Sequence, residues 1–236
     1  MSMKTYAIIV AGGIGRRMGA KEPKQFLMLA RRPILARTIE VFESTDAVDR
    51  IIIVAPRGYV EPVRKDIVKR FGFQKVKRVV MGGRRRQDSV WAGLQAIQEP
   101  CDVVAIHDGV RPLVTPDIIE KSILVARNFG AALVAVPVTS TIKTITGDGF
   151  VRRTPERRTL MAAQTPQSFN YNIIMNAYSD AVKHDFRGTD DSQLVEHMGG
   201  RVVIVPGHQE NFKITTETDL ALAQMIISRR GKRPSS

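Results

Sequence analysis

A glycine-rich turn followed by cations is the part of this chain whose chemistry is easiest to interpret. The apolar run Tyr6–Val10 is followed, after Ala11, by closely spaced glycines and cations: Gly12, Gly13, Gly15, Arg16, Arg17 and Lys24. Glycine lets backbone N–H groups turn inward on an anion because no Cβ blocks the approach. Cations just behind such a turn neutralise phosphate oxygens. The spacing therefore predicts a polyphosphate-binding loop at the start of an α/β domain.

Two common phosphate loops do not fit this string. A dinucleotide fingerprint needs a third glycine where Met18 stands, and the Walker pattern is absent from the chain. An ordinary glycine-rich turn with a solvated basic face is the alternative interpretation. The clustering of Arg16, Arg17 and Lys24 favours phosphate binding.

A second glycine loop, Gly82-Gly83, follows an apolar run and leads to Ser89 at the start of a helical pattern. Backbone N–H groups at such a helix start can bind a base or a phosphate. A solvated turn with a helix cap is the competing interpretation.

Polar side chains also follow the apolar run Val103–Ile106. Asp108 could orient hydroxyl groups of a polyol, and Arg111 could bind its phosphate or hold Asp108 in a structural ion pair. Lys213 is a further candidate anion ligand. Thr189-Asp190-Asp191 and Thr215 fit helix caps equally well.

Composition restricts the class of protein. The 236 residues fit one large domain, and no apolar stretch approaches the roughly 20 residues of a transmembrane helix. The amino terminus lacks the apolar core of a signal peptide, and Cys101 is the only cysteine, which excludes an internal disulfide. We expect a cytoplasmic protein that spans no membrane.

The formal net charge of +13 suits anionic partners. A nucleic-acid-binding module is one interpretation, but no aromatic residues interleave with the basic runs as stacking platforms would. An anionic small substrate is the other. Residues 229–236 form a basic tail that we expect to be disordered.

Apolar runs alternate with helix-period segments. The predicted strands are Tyr6–Val10, Arg50–Ala55, Lys77–Val80, Val103–Ile106, Ala132–Pro137 and Val202–Val205. The predicted helices are Leu35–Ser44, Gly58–Phe71, Gln87–Ile97, Pro116–Phe129, Tyr171–Lys183, Asp191–Met198 and Glu217–Ser228. This alternation predicts a Rossmann-like, mostly parallel sheet with helices on both faces in a single domain, residues 1–228.

One segment departs from the alternation. Residues 139–158 alternate apolar and polar side chains around Gly147-Asp148-Gly149, which predicts a β-hairpin. A hairpin inserted in such a domain is an arm, and arms often reach across a dimer.

Six motifs in order resemble one enzyme family: the first glycine loop with Pro23-Lys24-Gln25, Gly82-Gly83 through Asp88-Ser89-Val90, His107-Asp108 through Arg111-Pro112, Thr165-Pro166-Gln167, Thr189-Asp190-Asp191, and Lys213 with Thr215. The chain is similar over nearly its whole length to the 2-C-methyl-D-erythritol 4-phosphate cytidylyltransferases of the non-mevalonate isoprenoid pathway. The resemblance implies transfer of CMP from CTP to 2-C-methyl-D-erythritol 4-phosphate, with release of pyrophosphate, in isoprenoid precursor synthesis.

The resemblance also implies roles for individual residues. Arg17 and Lys24 would be catalytic; CTP would bind at Ala11, Gly12, Gly13, Gly15, Arg17, Lys24, Gly83 and Ser89; and the polyol phosphate would bind at Asp108, Arg111, Thr141, Arg157, Thr189 and Lys213. Mg²⁺ would be held mainly by the CTP phosphates, with no protein ligand assigned. Thr141 and Arg157 imply a homodimer in which each arm enters the partner's site.

Several positions depart from the family pattern. Gly12 replaces a common alanine, Arg84 an acidic residue of some members, Gly109-Val110 an alanine pair, and Ser140 a common aspartate. Arg84 leaves the contacts with the cytosine base unassigned, and Ser140 leaves the detailed contacts of the arm unassigned. Ribitol 5-phosphate cytidylyltransferase is the nearest alternative, since the Gln164–Phe169 string resembles it too.

Overall fold

A computed structural model describes residues 4–12 and 23–231. Its strands are β1 (Lys4–Val10), β2 (Met28–Leu29), β3 (Arg32–Pro33), β4 (Arg50–Ala55), β5 (Val76–Met81), β6 (Cys101–Asp108), β7 (Ala131–Pro137), β8 (Thr144–Ile145), β9 (Val151–Arg153), β10 (Met161–Asn170) and β11 (Val203–Pro206). Seven of them form one sheet in the order β11-β7-β10-β6-β1-β4-β5. All pairings in this sheet are parallel except those of β10. The predicted mostly parallel sheet is therefore confirmed.

The helices are α1 (Ile34–Glu43), α2 (Val60–Pro62, continued by a π-helical stretch at Val63–Lys69), α3 (Arg86–Gln95), α4 (Pro116–Phe129), α5 (Tyr171–Lys183), α6 (Asp191–His197) and α7 (Glu217–Arg230). Short 3₁₀ turns lie at Lys24–Phe26 and Arg157–Thr159. Across the described ranges, no helix combines the length and the apolar character needed to cross a membrane.

Alternate residues of the central strands enter two separate cores. Ile9 and Ile53 pack with α1, α2 and α4 on one face of the sheet, while Ile8 and Ile52 pack with α3, α5 and α6 on the other. Successive side chains of a strand point to opposite faces, so strands buried on both sides must be apolar throughout. The prediction of helices on both faces is confirmed.

The last helix continues past the predicted boundary. Arg229 and Arg230 form its final turn, and both side chains contact the carboxylate of Glu210. Cations at a helix carboxyl terminus are favourable because they oppose the helix dipole. The expected disordered tail is therefore wrong for these two residues, and residues 232–236 lie outside the described part of the chain.

β10 is an antiparallel strand that we did not predict. It lies between β6 and β7, and its pairing with β7 is interrupted between Ala163 and Gln167. Pro166 lies within this interruption, where its missing N–H breaks no ladder hydrogen bond. A proline inside the segment argues against a central strand, and this explains the omission.

The predicted hairpin forms at the expected place. β8 and β9 pair antiparallel, and the N–H of Thr146 donates to the Phe150 carbonyl across the turn. The arm, residues 139–158, is almost wholly exposed.

Candidate active site

Three loops meet at the carboxyl edge of the sheet. Val10 of β1 pairs with Val54 of β4 and with Asp108 of β6. Hydrogen bonds of 2.8 Å continue this alignment, because the N–H of Ala11 donates to the Val54 carbonyl and that of Gly109 to Val10. The N–H of Gly82, which follows β5, donates to the Ala55 carbonyl at the end of β4, also at 2.8 Å. Parallel α/β sheets bind ligands at this edge. The loops predicted to bind ligand therefore lie side by side.

Ser89 organises the second glycine loop from a buried position. Its hydroxyl accepts a hydrogen bond from the Gly83 N–H (3.2 Å) and donates to the Arg85 carbonyl (2.9 Å). A Cβ at Gly82 would lie 2.7 Å from the Ser89 oxygen, and one at Gly12 would lie 3.1 Å from it. Close packing thus requires glycine at position 82 and gives Ser89 a role in loop shape. Its predicted contact with CTP, like that of Gly83, stays a prediction.

The first glycine loop is described only at its two ends. Buried Gln25 donates from Nε2 to the Ala11 carbonyl (2.5 Å), which fixes the short turn beginning at Lys24 beside the end of β1. Lys24 is half-buried there. The predicted residues Gly13, Gly15 and Arg17 lie outside the described residues.

Asp108 is a buried carboxylate in contact with three cations. Its Oδ1 lies 3.2 Å from Nε of Arg86, and its Oδ2 lies 3.2 Å from Nε of Arg111 and 3.1 Å from Nζ of Lys213. Burial alone would raise the pKa of Asp108, but Arg86, Lys213 and Arg111 outweigh it and hold the pKa far below its usual range. The structure thus brings three predicted acceptor residues together.

Arg86 is shared between two carboxylates. Its two terminal nitrogens donate to the carboxylate oxygens of Asp191 at 2.9 and 2.7 Å, while its Nε contacts Asp108. The Asp191 side chain is fully buried and also accepts from the Tyr178 hydroxyl (2.6 Å). Burial opposes the charge of Arg86, but the two carboxylates raise its pKa above the ordinary value. The guanidinium stays charged.

His107 anchors the end of β6 without facing the site. Its Nε2 lies 3.1 Å from the Arg111 carbonyl, and its Nδ1 lies 2.9 Å from the Thr165 hydroxyl. A carbonyl only accepts, so we assign the proton to Nε2 and the Thr165 hydroxyl as the donor to Nδ1. That hydroxyl also accepts from the Asp108 N–H (3.1 Å). Burial lowers the pKa of His107 to about 4, which keeps the imidazole neutral.

Buried Asn211 holds the loop that carries Lys213. Its amide nitrogen donates to the Thr165 carbonyl (2.8 Å), and its own backbone carbonyl accepts from a terminal nitrogen of Arg111 (2.8 Å). Lys213 and Arg111 are therefore positioned by the same two contacts. β10 supplies the anchor through Thr165.

The predicted residue Thr189 lies at the exposed entrance to α6. Its N–H and hydroxyl both contact the side-chain oxygen of Gln193, while Asp190 caps the helix by accepting from the Gln193 N–H. Gln167 of β10 adds hydrogen bonds to Asp190 and to the first N–H groups of the helix. The capping interpretation is confirmed for Asp190, and substrate contact by Thr189 stays a prediction.

The arm residues Thr141 and Arg157 do not join this cluster within one chain. Both are exposed, and Arg157 donates to the Thr139 carbonyl of its own arm (3.1 Å). Over residues 4–12 and 23–231, no hydrogen bond or ion pair links either residue to Asp108. Their predicted role depends on a second subunit.

The sequence identified no binding role for Arg86, Asp191 or Thr165, although Asp191 belongs to a helix-cap candidate and Thr165 to one of the six family motifs. Arg86 follows the Gly82-Gly83 loop, so its place at a strand's carboxyl end was a signal that it faces the site. Its pairing with Asp191, more than a hundred residues away, leaves no local pattern.

The cluster can bind a phosphate monoester. Three cations face the two carboxylates of Asp108 and Asp191, which leaves one net positive charge. Lys213 is the most accessible cation, with 38% of its side chain exposed. An arriving phosphate can therefore replace Asp108 as the partner of Lys213, while Asp108 offers an oxygen to a hydroxyl group.

Comparison with known proteins assigns this chain to a family. A family model for 2-C-methyl-D-erythritol 4-phosphate cytidylyltransferase (IspD) matches residues 5–229. Relatives of that name from Alkaliphilus oremlandii and Geobacter metallireducens are each 47% identical, covering 96% and 97% of this chain and 96% and 99% of their own. A 4-diphosphocytidyl-2C-methyl-D-erythritol synthase crystal structure from Anaerococcus prevotii has a TM-score of 0.85 and 32% identity, covering 96% of this chain and 97% of its own.

Fold, site and matches define a nucleotidyltransferase, an enzyme that moves a nucleotidyl group from a nucleoside triphosphate to an acceptor. The described ends of the first glycine loop, the Gly82-Gly83 loop and the basic cluster lie at one edge of the α/β sheet. The chain belongs to the 2-C-methyl-D-erythritol 4-phosphate cytidylyltransferase family.

Proposed function

We propose that this enzyme transfers CMP from CTP to the phosphate of 2-C-methyl-D-erythritol 4-phosphate in isoprenoid precursor synthesis. The observation that carries the proposal is the Asp108 cluster beside the glycine loops in a chain of this family. Asp108 offers a carboxylate to hydroxyl groups, and the neighbouring Arg111 and Lys213 can bind a phosphate. This combination matches a polyol phosphate acceptor.

The proposed reaction is an in-line displacement. An oxygen of the acceptor phosphate attacks the α-phosphorus of CTP, and the bond from that phosphorus to the β-phosphate oxygen breaks and releases pyrophosphate. A phosphate dianion is already nucleophilic at neutral pH, so no side chain needs to remove a proton. Catalysis then consists of positioning and charge neutralisation. We assign the neutralisation to Arg17 and Lys24.

We further propose that Mg²⁺ is held by the CTP phosphates and water, where it would neutralise the triphosphate. In the described part of the chain, no group of three or more histidine, cysteine or acidic side chains is placed to hold a metal ion. Asp108 is surrounded by cations and therefore makes a poor metal ligand. The donor set thus suits an ion that arrives with the nucleotide.

A homodimer in the cytoplasm completes the proposal. Thr141 and Arg157 lie on an exposed arm whose hydrophobic side chains also face outward: Ile145, Phe150 and Val151 are 65%, 72% and 61% exposed. Contact with a second subunit would bury these side chains and bring both polar residues to the partner's acceptor site.

The test is pyrophosphate release with CTP and Mg²⁺, with methylerythritol phosphate and ribitol phosphate offered in parallel. We expect turnover with methylerythritol phosphate alone, because the relatives named above carry that activity. Turnover with ribitol phosphate alone would move the enzyme to the alternative acceptor with the same CTP chemistry. If folded protein releases no pyrophosphate with either acceptor, the proposal is contradicted. The nucleic-acid-binding module, which predicts salt-dependent binding, would then be favoured.

A further inference from the structure

One guanidinium connects the parts of the acceptor site. Arg86 of α3 holds Asp108 at the end of β6 through Nε and Asp191 at the start of α6 through both terminal nitrogens. Arg111 and Lys213 contact the other oxygen of Asp108. Removing the Arg86 side chain would therefore take a cationic partner from both Asp108 and Asp191 and leave Asp108 to Arg111 and Lys213.

The contact with Asp191 extends to the loop that carries Thr189. The Tyr178 hydroxyl donates to Asp191, and the Tyr178 ring stacks on Trp91 of α3 with centroids 5.8 Å apart and planes 2° apart. Gln87, next to Arg86, accepts from the Gly188 N–H (3.2 Å). Helix α3 thus contacts the loop that carries Thr189 through several side chains. Of these side chains, within the described residues, only Arg86 also contacts Asp108.

The division of the Asp108 oxygens has a chemical consequence. Arg86 engages Oδ1, which leaves only Oδ2 for the two cations assigned to the acceptor phosphate. Without Arg86, both oxygens of Asp108 would be available to Arg111 and Lys213. A carboxylate that binds those cations fully competes with the incoming phosphate for the same donors.

We propose that Arg86 is the positioning residue of the acceptor site: it fixes Asp108 relative to Asp191 and the Thr189 loop, and it limits the hold of Asp108 on Arg111 and Lys213. The inference rests on the proposed function above. Tyr178 supports the same arrangement by donating to Oδ1 of Asp191, the oxygen that also accepts from Arg86, so a change there tests the network without removing a partner of Arg111 or Lys213.

The experiment measures the KM of both substrates in the full chain for Arg86→Gln, Arg86→Lys and Tyr178→Phe. We expect the KM for methylerythritol phosphate to rise about 30-fold or more in Arg86→Gln and about three- to tenfold in Tyr178→Phe, with the KM for CTP within about twofold of wild type. Arg86→Lys should recover part of the loss, since lysine restores the positive charge but cannot form the paired hydrogen bonds of a planar guanidinium.

Two matched controls lie at the opposite end of β6. Arg127→Gln breaks the ion pair with Asp102, and Tyr171→Phe removes a hydroxyl near Cys101 on the same helix as Tyr178. Both controls should leave the acceptor KM unchanged, and thermal unfolding should verify that every variant folds. If Arg86→Gln does not fold, Tyr178→Phe decides.

The outcomes separate this inference from the proposed function. A wild-type enzyme that turns over neither polyol phosphate overturns the function. An active wild type whose variants keep a normal acceptor KM, or raise both KM values equally, overturns the positioning role of Arg86.

Discussion

His107 shows how one buried side chain can fix a site without taking part in its chemistry. It bridges Arg111 and Thr165, and its ring packs 4.8 Å from that of Phe42 between centroids. Protonation would replace the acceptor at Nδ1 with a donor and bury a charge. Neutral His107 is therefore part of the folded state, and this gives it a measurable effect on stability.

We predict that His107 makes folding stability depend on pH between about 6.5 and about 4. The unfolded chain protonates this imidazole near 6.5, whereas the folded protein does so only near 4. The unfolded state thus binds more protons in this window, and the free energy of unfolding falls as the pH falls, by about 3 kcal/mol in total. Above the window the contribution is complete.

The measurement is urea unfolding across that pH range for wild type, His107→Gln and the exposed-site control His184→Gln. The wild type should lose up to about 1.4 kcal/mol per pH unit more than His107→Gln, because one proton is involved. The control should follow the wild type. Parallel curves for wild type and His107→Gln would show that this residue is not the titrating group.

Lys24 is the described cation that we assign to charge neutralisation during the reaction. Lys24→Ala should lower kcat about 100-fold or more, because a cation assigned to the developing phosphate charge is lost. Lys24 lies in a half-buried turn, so the folding of the variant has to be verified together with its rate. The measurement is pyrophosphate release together with thermal unfolding, with exposed Lys121→Ala as control. A normal rate in Lys24→Ala would remove this residue from catalysis.

At the scale of elements, the first turn of α3 forms the boundary between the two halves of the site. Ser89 accepts from the Gly83 N–H and Asp88 from the Arg85 N–H. Arg86 and Gln87 hold the proposed acceptor side. The helix start was evident from the sequence, because glycines and polar residues follow a strand. The contacts of this turn with Asp191 and Gly188 were not evident, since those residues lie about a hundred positions further along the chain.

The strands of the sheet differ in how well the sequence predicts them. Parallel strands such as β1 and β4 could be predicted because their apolar runs are buried on both faces. β10 was missed because Gln164 to Ser168 is polar and contains a proline. Those polar side chains are buried only because the site supplies partners for them, as His107 does for Thr165. Such pairing exists in the folded protein and has no periodic signature.

The loop before α3 gives a prediction about its glycine. A Cβ at Gly83 would lie 2.3 Å from Cβ of Asp88, so Gly83→Ala must shift the loop. We expect the KM for CTP to rise about tenfold while the KM for the acceptor changes little. The control is Gly231→Ala, where the added Cβ would meet only the Ile227 carbonyl oxygen, at an ordinary 3.6 Å. An unchanged KM for CTP in Gly83→Ala would place the nucleotide elsewhere.

The arm gives a prediction about assembly. Phe150→Ser should shift the enzyme from dimer to monomer in sedimentation, because Phe150 is 72% exposed on a hairpin whose apolar side chains need a partner surface. Phe129→Ser is the matched control, since that ring is 66% exposed but lies at the end of α4. An unchanged dimer in Phe150→Ser, or a monomeric wild type, would contradict the proposed role of the arm.

For the whole molecule, the question is whether one chain contains a complete site. Asp108, Arg111 and Lys213 come from one subunit, whereas Thr141 and Arg157 lie on an arm that makes no polar contact with them in the described residues. If each arm serves the other subunit, two inactive variants can complement each other. A mixed dimer of Lys24→Ala and Arg157→Ala would contain one site with both defects and one intact site.

Random mixing of these two variants should therefore recover about a quarter of wild-type activity, because half of the dimers are mixed and each has one good site of two. Lys24→Ala mixed with Lys213→Ala is the control, since both defects then lie outside the arm and no intact site forms. The measurement is pyrophosphate release after joint refolding, with mixed dimers quantified by differential tags. Verified mixed dimers without recovered activity would show that each subunit uses its own arm, and the homodimer would then have no part in the chemistry.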